Sequence, residues 1–284
     1  MPLVPMKQLL EKAEAGHYAV GAFNCNNMEI IQAIITAATA ENAPVIVQAS
    51  QGAIKYAGLD YIVGLTRMAA ELAPVPVALH LDHGTSFDQV MQCIGKGFTS
   101  VMIDGSKLPL EENIALTNRV LDVARPCGVT VEAELGKIGG TEDDIFVSDR
   151  EAMYTEPEEA LTFVQATGVD ALAIAIGTAH GQYKGEPKLD LDRLAKIKDL
   201  VKIPIVLHGS SGVPDDAIRA AIERGVRKVN IDTNIREAFM GGVTAALAKN
   251  PQELDPRKVL GPAREAMVAI IREKIRVFGS QNKA

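Results

Sequence analysis

Residues 204–233 read PIVLHGSSGVPDDAIRAAIERGVRKVNIDT. A short apolar run, Pro204–Ser211, gives way to a stretch of helical periodicity from Pro214 to Arg224. A second apolar run, Lys228–Thr233, follows at once. Strand, helix, strand in this order is the repeating unit of a parallel α/β fold. The same unit can be read upstream. Strands are expected at Ala19–Asn24, Pro44–Ser50, Val75–His83, Ser100–Ser106, Thr130–Gly136 and Ala171–Thr178. Helical patterns occupy Asn27–Glu41, Leu110–Cys127, Pro157–Thr167, Leu191–Val201 and Asn234–Lys249. Pro157 followed by Glu158 and Glu159 is a good first helical turn.

Most of these strands are apolar on both faces, as strands buried between a core and covering helices should be. The alternation, repeated eight times, predicts a (β/α)8 TIM barrel. A doubly wound open sheet would carry a Gly-rich fingerprint after its first strand, and Gly21-Ala-Phe-Asn-Cys-Asn26 supplies none. The whole chain, 1–284, is read as one barrel domain with an extra C-terminal helix, Gly261 to Phe278, outside it. Two long loops remain, Lys137–Thr155 and Ala179–Leu189. The first is rich in Gly, Asp and Glu, which marks it as a functional loop.

Bulk properties narrow the function. A chain of 284 residues that is 47% hydrophobic suits one large domain. A formal net charge of −7 argues against nucleic acid or an anionic membrane as partner, since both favour a basic face. No apolar stretch reaches the roughly 18 residues of a membrane span. The start of the chain lacks the basic and apolar segments of a signal peptide. Three widely spaced cysteines, Cys25, Cys93 and Cys127, are expected to be reduced thiols of a cytoplasmic protein.

The strands end in residues that a buried barrel core would not choose: Asn24, Ser50, Asp82 with His83, Asp104, Glu134, His180, His208, and Asn230 with Asp232. Barrel sites are built at the C-terminal rim, from the ends of several strands. His83, His180 and His208 therefore form a candidate metal triad, three imidazoles with an open position as in catalytic zinc sites. Asp104 and Glu134 could bind a second cation or orient the histidines. Strand alternation places His80 opposite His83, which reads as a structural histidine. His17, before the first strand, reads as surface. Glu132 shares a face with Glu134 but lies deeper. Gly209-Ser-Ser-Gly212 and Asn230-Ile-Asp-Thr233 each precede a helix, matching the phosphate site usual after strands seven and eight.

The motifs His80-Leu-Asp-His83, Val101-Met-Ile-Asp104, Glu132-Ala-Glu-Leu-Gly136, Gly139-Gly-Thr-Glu-Asp143, Gly177-Thr-Ala-His-Gly181, Leu207-His-Gly-Ser-Ser-Gly212 and Val229-Asn-Ile-Asp-Thr233 resemble those of class II fructose-bisphosphate aldolases. The resemblance runs nearly the whole chain, through Asp255-Pro-Arg257 and Gly261-Pro-Ala-Arg-Glu265. The short form is similar to the branch that includes tagatose-bisphosphate aldolase. The resemblance implies a catalytic zinc on His83, His180 and His208, with Asp104 and Glu134 matching a second zinc position. It implies Asp82 as catalytic acid and Glu142 as a proton-transferring carboxylate. Gly181, Gly209, Ser210, Ser211, Asn230, Ile231, Asp232 and Thr233 match the dihydroxyacetone phosphate site. Ser50 matches a contact to the aldehyde half. Arg257 matches an arginine that reaches the distal phosphate, with a neighbouring subunit as one source.

The expected reaction is reversible cleavage of fructose 1,6-bisphosphate into dihydroxyacetone phosphate and glyceraldehyde 3-phosphate. Tagatose 1,6-bisphosphate is the alternative substrate. A homo-oligomer, dimer or tetramer, is expected, and a monovalent cation is left open. A Schiff-base aldolase would need a lysine at a strand's C-terminal end; Lys137 is one step into a loop and Lys228 stands at the wrong end. A metal-dependent hydrolase lacks its His-x-His on the first strand. A non-catalytic sugar-phosphate sensor would need neither Asp82 nor Glu142.

Overall fold

In chain order the first elements are α1 (Met6–Gly16), β1 (Val20–Asn24), α2 (Met28–Ala40), β2 (Val45–Ala49), α3 (Gln51–Ala57), α4 (Leu59–Leu72) and β3 (Val77–Gly84). There follow α5 (Phe87–Lys96), β4 (Ser100–Ile103), α6 (Leu110–Ala124), β5 (Thr130–Leu135), β6 (Gly139–Glu142), β7 (Ile145–Val147) and α7 (Pro157–Thr167). The last are β8 (Ala171–Ile174), β9 (Ala179–His180), α8 (Leu191–Val201), β10 (Ile205–Leu207), α9 (Asp215–Glu223), β11 (Val226–Ile231), α10 (Thr233–Lys249) and α11 (Pro256–Val277). This computed structural model describes residues 2–142, 145–147, 153–183 and 185–284, without the side chains of residues 141, 142 and 145–147.

Strands β1, β2, β3, β4, β5, β8, β10 and β11 close into a barrel in that circular order, every pairing parallel. The (β/α)8 barrel and its extra C-terminal helix are as expected. That helix begins earlier than expected, at Pro256, where the Asp255 side chain accepts the Arg257 backbone N–H. It packs against α10 and α2, outside the barrel. Among the described residues, no helix is long and apolar enough to cross a membrane.

Several strands are shorter than the apolar runs suggested. β4 stops at Ile103, β8 at Ile174 and β10 at Leu207. The ladder ends where polar groups make bonds of their own, as where Ser106 N–H donates to Asp104 Oδ1 at 3.0 Å. In the segment after β5, β6 and β7 pair antiparallel. β6 pairs with β9 as well, so His180 belongs to this small sheet and not to a barrel strand. Gly140 makes that pairing possible: its φ is 100°, and a Cβ there would collide with the His180 backbone.

Helix α1 lies outside the expected set, and it closes the bottom of the barrel. Its Met6, Leu9, Leu10 and Ala13 pack on inward residues of the strands, among them Val20, Ile46 and Val206. Other inward positions at this level are small, Ala22, Ala78, Ala171 and Ala173, and so leave room for the helix side chains. Burying Leu9 and Leu10 stabilises the floor by about 1.5–3 kcal/mol each. Above the floor lies a fully buried polar layer of His80, Ser100, Glu132 and Lys228.

One expectation about facing is corrected. Along β3, Leu79 and Leu81 belong to the outer core, while Ala78 belongs to the floor cluster and Asp82 bonds inward. Simple alternation would then turn His83 outward, opposite His80. Instead His83 adopts φ 48°, in the left-handed region, and the β3–β4 register shifts between Leu81 and Gly84. The kink costs about 1–2 kcal/mol for a non-glycine residue. It returns the ring to the interior, so both histidines point into the barrel.

Candidate active site

The barrel mouth gathers metal-binding groups from β3, β5 and β9 and from the loops after β4 and β10. His83 Nε2 lies 2.9 Å from His208 Nδ1. The His83 and His180 rings meet edge to face, with centroids 5.1 Å apart. One donor atom from each of His83, His180 and His208 lies within 4.8 Å of the other two; so does one from each of His83, Asp104 and Glu134. All three histidines and Glu134 are buried, and Asp104 is half-buried. The triad and its carboxylate neighbours are thus brought together as the sequence suggested.

Their far-side bonds show what this group can hold. His83 Nδ1 faces Asp104 Oδ2 at 3.0 Å, and His208 Nε2 faces Glu132 Oε1 at 2.8 Å. Each carboxylate accepts that ring's N–H. With both rings neutral, the two nitrogens that face each other across 2.9 Å both present lone pairs. A cation between them relieves this arrangement, and neutral imidazole is the ligating form. Burial holds the His208 pKa down at about 4, against the upward pull of Glu132, so the ring is neutral near pH 7. Burial acts to raise the Asp104 pKa, but bonds from His83 and Ser106 outweigh it and hold the group below the usual carboxylate range. These residues fit a divalent metal ion with nitrogen and oxygen ligands.

Asp82 stands beside the triad, fully buried. Its Oδ2 accepts from Asn24 Nδ2 at 2.8 Å and from Gln48 Nε2 at 3.1 Å, and its Oδ1 from Asn230 Nδ2 at 3.2 Å. Amides from β1, β2 and β11 thus fix the carboxylate plane.

Next to it is a cavity of about 390 Å³, lined in part by Asn24, His180, Gly181, Asn230 and Thr233. Gly209, Ser210, Ser211 and Asp232 complete one wall. Gly209 has φ 61°, and a Cβ there would lie 2.5 Å from the Ala179 carbonyl oxygen. The loop after β10 can therefore lie flat against the loop that carries His180. Ser211 Oγ accepts from Asn234 N at 3.3 Å, tying this loop to the first turn of α10. Backbone N–H groups at such a helix start favour an anion.

The Fructose-bisphosphate aldolase class-II family model matches residues 4–283. The chain belongs to the class-II fructose-bisphosphate aldolase family. A fructose-bisphosphate aldolase of Geobacillus stearothermophilus is 47% identical over 287 residues, covering 100% of this chain and 99% of that one. One of Thermus caldophilus is 46% identical over 308 residues, covering 99% and 100%. The solved YdjI aldolase of Escherichia coli K12 matches with a TM-score of 0.87 at 33% identity, covering 99% of each chain. The enzyme class expected from the sequence, a carbon–carbon lyase, is that of these class-II aldolases.

Ser50, Ile231 and Arg257, also singled out in this class-II aldolase, do not line the cavity. Ser50 is buried at the end of β2, where its side chain caps α3 by accepting from Ala53 N. Ile231 turns its side chain into the outer core. Arg257 is exposed at the start of α11, paired with Asp255 at 2.8 Å. Glu142 ends β6, and its side chain lies outside the described residues. His17 is exposed, as expected. Sequence reading missed the roles of Asn24 and Gln48 around Asp82. Both are polar residues at inward positions of otherwise apolar strands, which was the available signal.

Proposed function

We propose that this aldolase cleaves fructose 1,6-bisphosphate reversibly into dihydroxyacetone phosphate and glyceraldehyde 3-phosphate, with zinc on His83, His180 and His208. The observation that carries the reading is the convergence of His83, His180 and His208 beside an amide-clamped carboxylate. Zinc when bound would polarise the substrate ketone. Asp82 takes the C4 hydroxyl proton in cleavage and returns it in condensation. Glu142 moves the proton at C3 of dihydroxyacetone phosphate. Gly181, Gly209 to Ser211 and Asn230 to Thr233, which come together beside the α10 start, hold the phosphate of that half. Asp104 orients His83 through its Nδ1 hydrogen bond, and with Glu134 offers a second metal position.

Arg257 does not line the cavity of its own chain, so its expected contact with the distal phosphate would come from a neighbouring copy in a dimer or tetramer. A cytoplasmic setting suits its three free thiols. The test of the reading is a cleavage assay with fructose and tagatose 1,6-bisphosphates. A higher kcat/KM for the fructose substrate is expected. Preference for tagatose, whose sugar differs at one stereocentre, would move the assignment to the other substrate, and no turnover of either would end it.

Glu142→Ala is expected to keep zinc and substrate affinity yet lose about 10²–10⁴-fold in C3 proton exchange, the usual worth of a positioned acid–base group. Isotope exchange into dihydroxyacetone phosphate, at matched zinc content, measures this. Undiminished exchange would assign the proton to another group.

A further inference from the structure

Beneath the histidine triad the barrel holds an ion pair for which the reaction has no direct use. Glu132 on β5 and Lys228 on β11 are both fully buried, with Lys228 Nζ 2.9 Å from Glu132 Oε2. The other carboxylate oxygen, Oε1, lies 2.8 Å from His208 Nε2. His80 Nε2 lies 3.6 Å from Oε2, and its Nδ1 is held by Ser100 Oγ at 2.6 Å. Glu132 thus sits at the centre of the layer with each oxygen committed, one to the lysine and one to the imidazole. Removing two charges from water is costly, and a buried ion pair is seldom kept for stability alone.

We infer that Glu132 is a positioning residue for the metal: it accepts the Nε2–H of His208 and so fixes the tautomer that turns Nδ1 toward the cluster, while Lys228 holds its second oxygen. This rests on the reading that the triad binds zinc. An imidazole carries one N–H when neutral, and its partner decides which nitrogen keeps the lone pair. His83 is served in the same way by Asp104. Lys228, 2.9 Å from Oε2, balances the buried charge of Glu132. Outer carboxylate partners of this kind typically affect metal affinity by about 10–100-fold.

Two double variants separate positioning from packing. Lys228→Met with Glu132→Gln removes the ion pair but keeps an acceptor for His208. Lys228→Met with Glu132→Met removes both, at similar side-chain size. Zinc Kd is measured by competition with a chromophoric chelator, and thermal unfolding of the metal-free proteins monitors the fold. The glutamine double is expected to bind zinc within a few-fold of wild type, and the methionine double about 10–100-fold more weakly. Equal zinc affinity in the two doubles would overturn the inference, whether both match wild type or both are weakened. A wild-type protein that binds no zinc in the same titration would instead refute the zinc reading itself. If a double fails to fold, ¹H–¹⁵N correlation spectra of histidine-labelled wild type serve in its place. The proton of His208 is expected on Nε2; finding it on Nδ1 would overturn the inference.

Discussion

Asp82→Ala is expected to lose about 10²–10⁴-fold in cleavage of the bisphosphate, the usual effect of removing a positioned acid–base group. Proton exchange at C3 of dihydroxyacetone phosphate should survive better, because that proton is assigned to Glu142. The specificity of the effect comes from the clamp. Asn24, Gln48 and Asn230 donate to both oxygens of Asp82, and none of the three carries a charge. These three amides from separate strands hold the carboxylate in place. Cleavage and exchange are to be measured on one preparation at matched zinc content. An equal loss in both would contradict the division of labour between Asp82 and Glu142.

His83→Ala is expected to weaken zinc binding beyond the about 10–100-fold that loss of an outer-sphere partner costs, and to abolish cleavage with it. His83 bridges the site: its Nε2 faces His208 and its Nδ1 faces Asp104. Deleting the ring removes a ligand and leaves Asp104 without the group it orients. His80→Ala provides the contrast. That ring is bonded to Ser100 in the layer below, so its loss should lower stability by about 1–3 kcal/mol while zinc binding stays within several-fold. Zinc titration and denaturant midpoints on both variants check this. Comparable zinc loss in the two would place His80 in the metal site.

The barrel was legible because parallel strands buried on both faces are written as apolar runs, and the run at Lys228–Thr233 continues the pattern set at Pro204–Ser211. Strand-end histidines and carboxylates in an otherwise apolar background marked the mouth. What alternation could not reveal was the facing of His83, because its own left-handed backbone turns the ring inward at the strand's end. His180 was read as standing at the end of the strand Ala171–Thr178, in the loop that follows it. Its actual support is the pairing of β9 with β6, a non-local contact that no local pattern encodes. Helix α1 was missed because its apolar positions meet the barrel floor, whose alanines are informative only when their inward direction is known. Glu132 and Lys228 were read as deep and misplaced. They are deep, and the barrel closure that joins β5 to β11 across the interior is what makes them a pair.

Metal dependence separates a class-II aldolase from a Schiff-base enzyme most directly. Wild-type protein is stripped with a chelator, assayed for cleavage of fructose 1,6-bisphosphate, reloaded with zinc and assayed again, with borohydride present in a parallel reaction. Among the described residues Lys228 is the buried lysine, held by Glu132 beneath the histidines at the wrong end of its strand for a Schiff base. The expected result is no cleavage without metal, recovery with zinc and no covalent adduct. Full cleavage by the metal-free protein, or a borohydride-stable adduct on lysine, would contradict it.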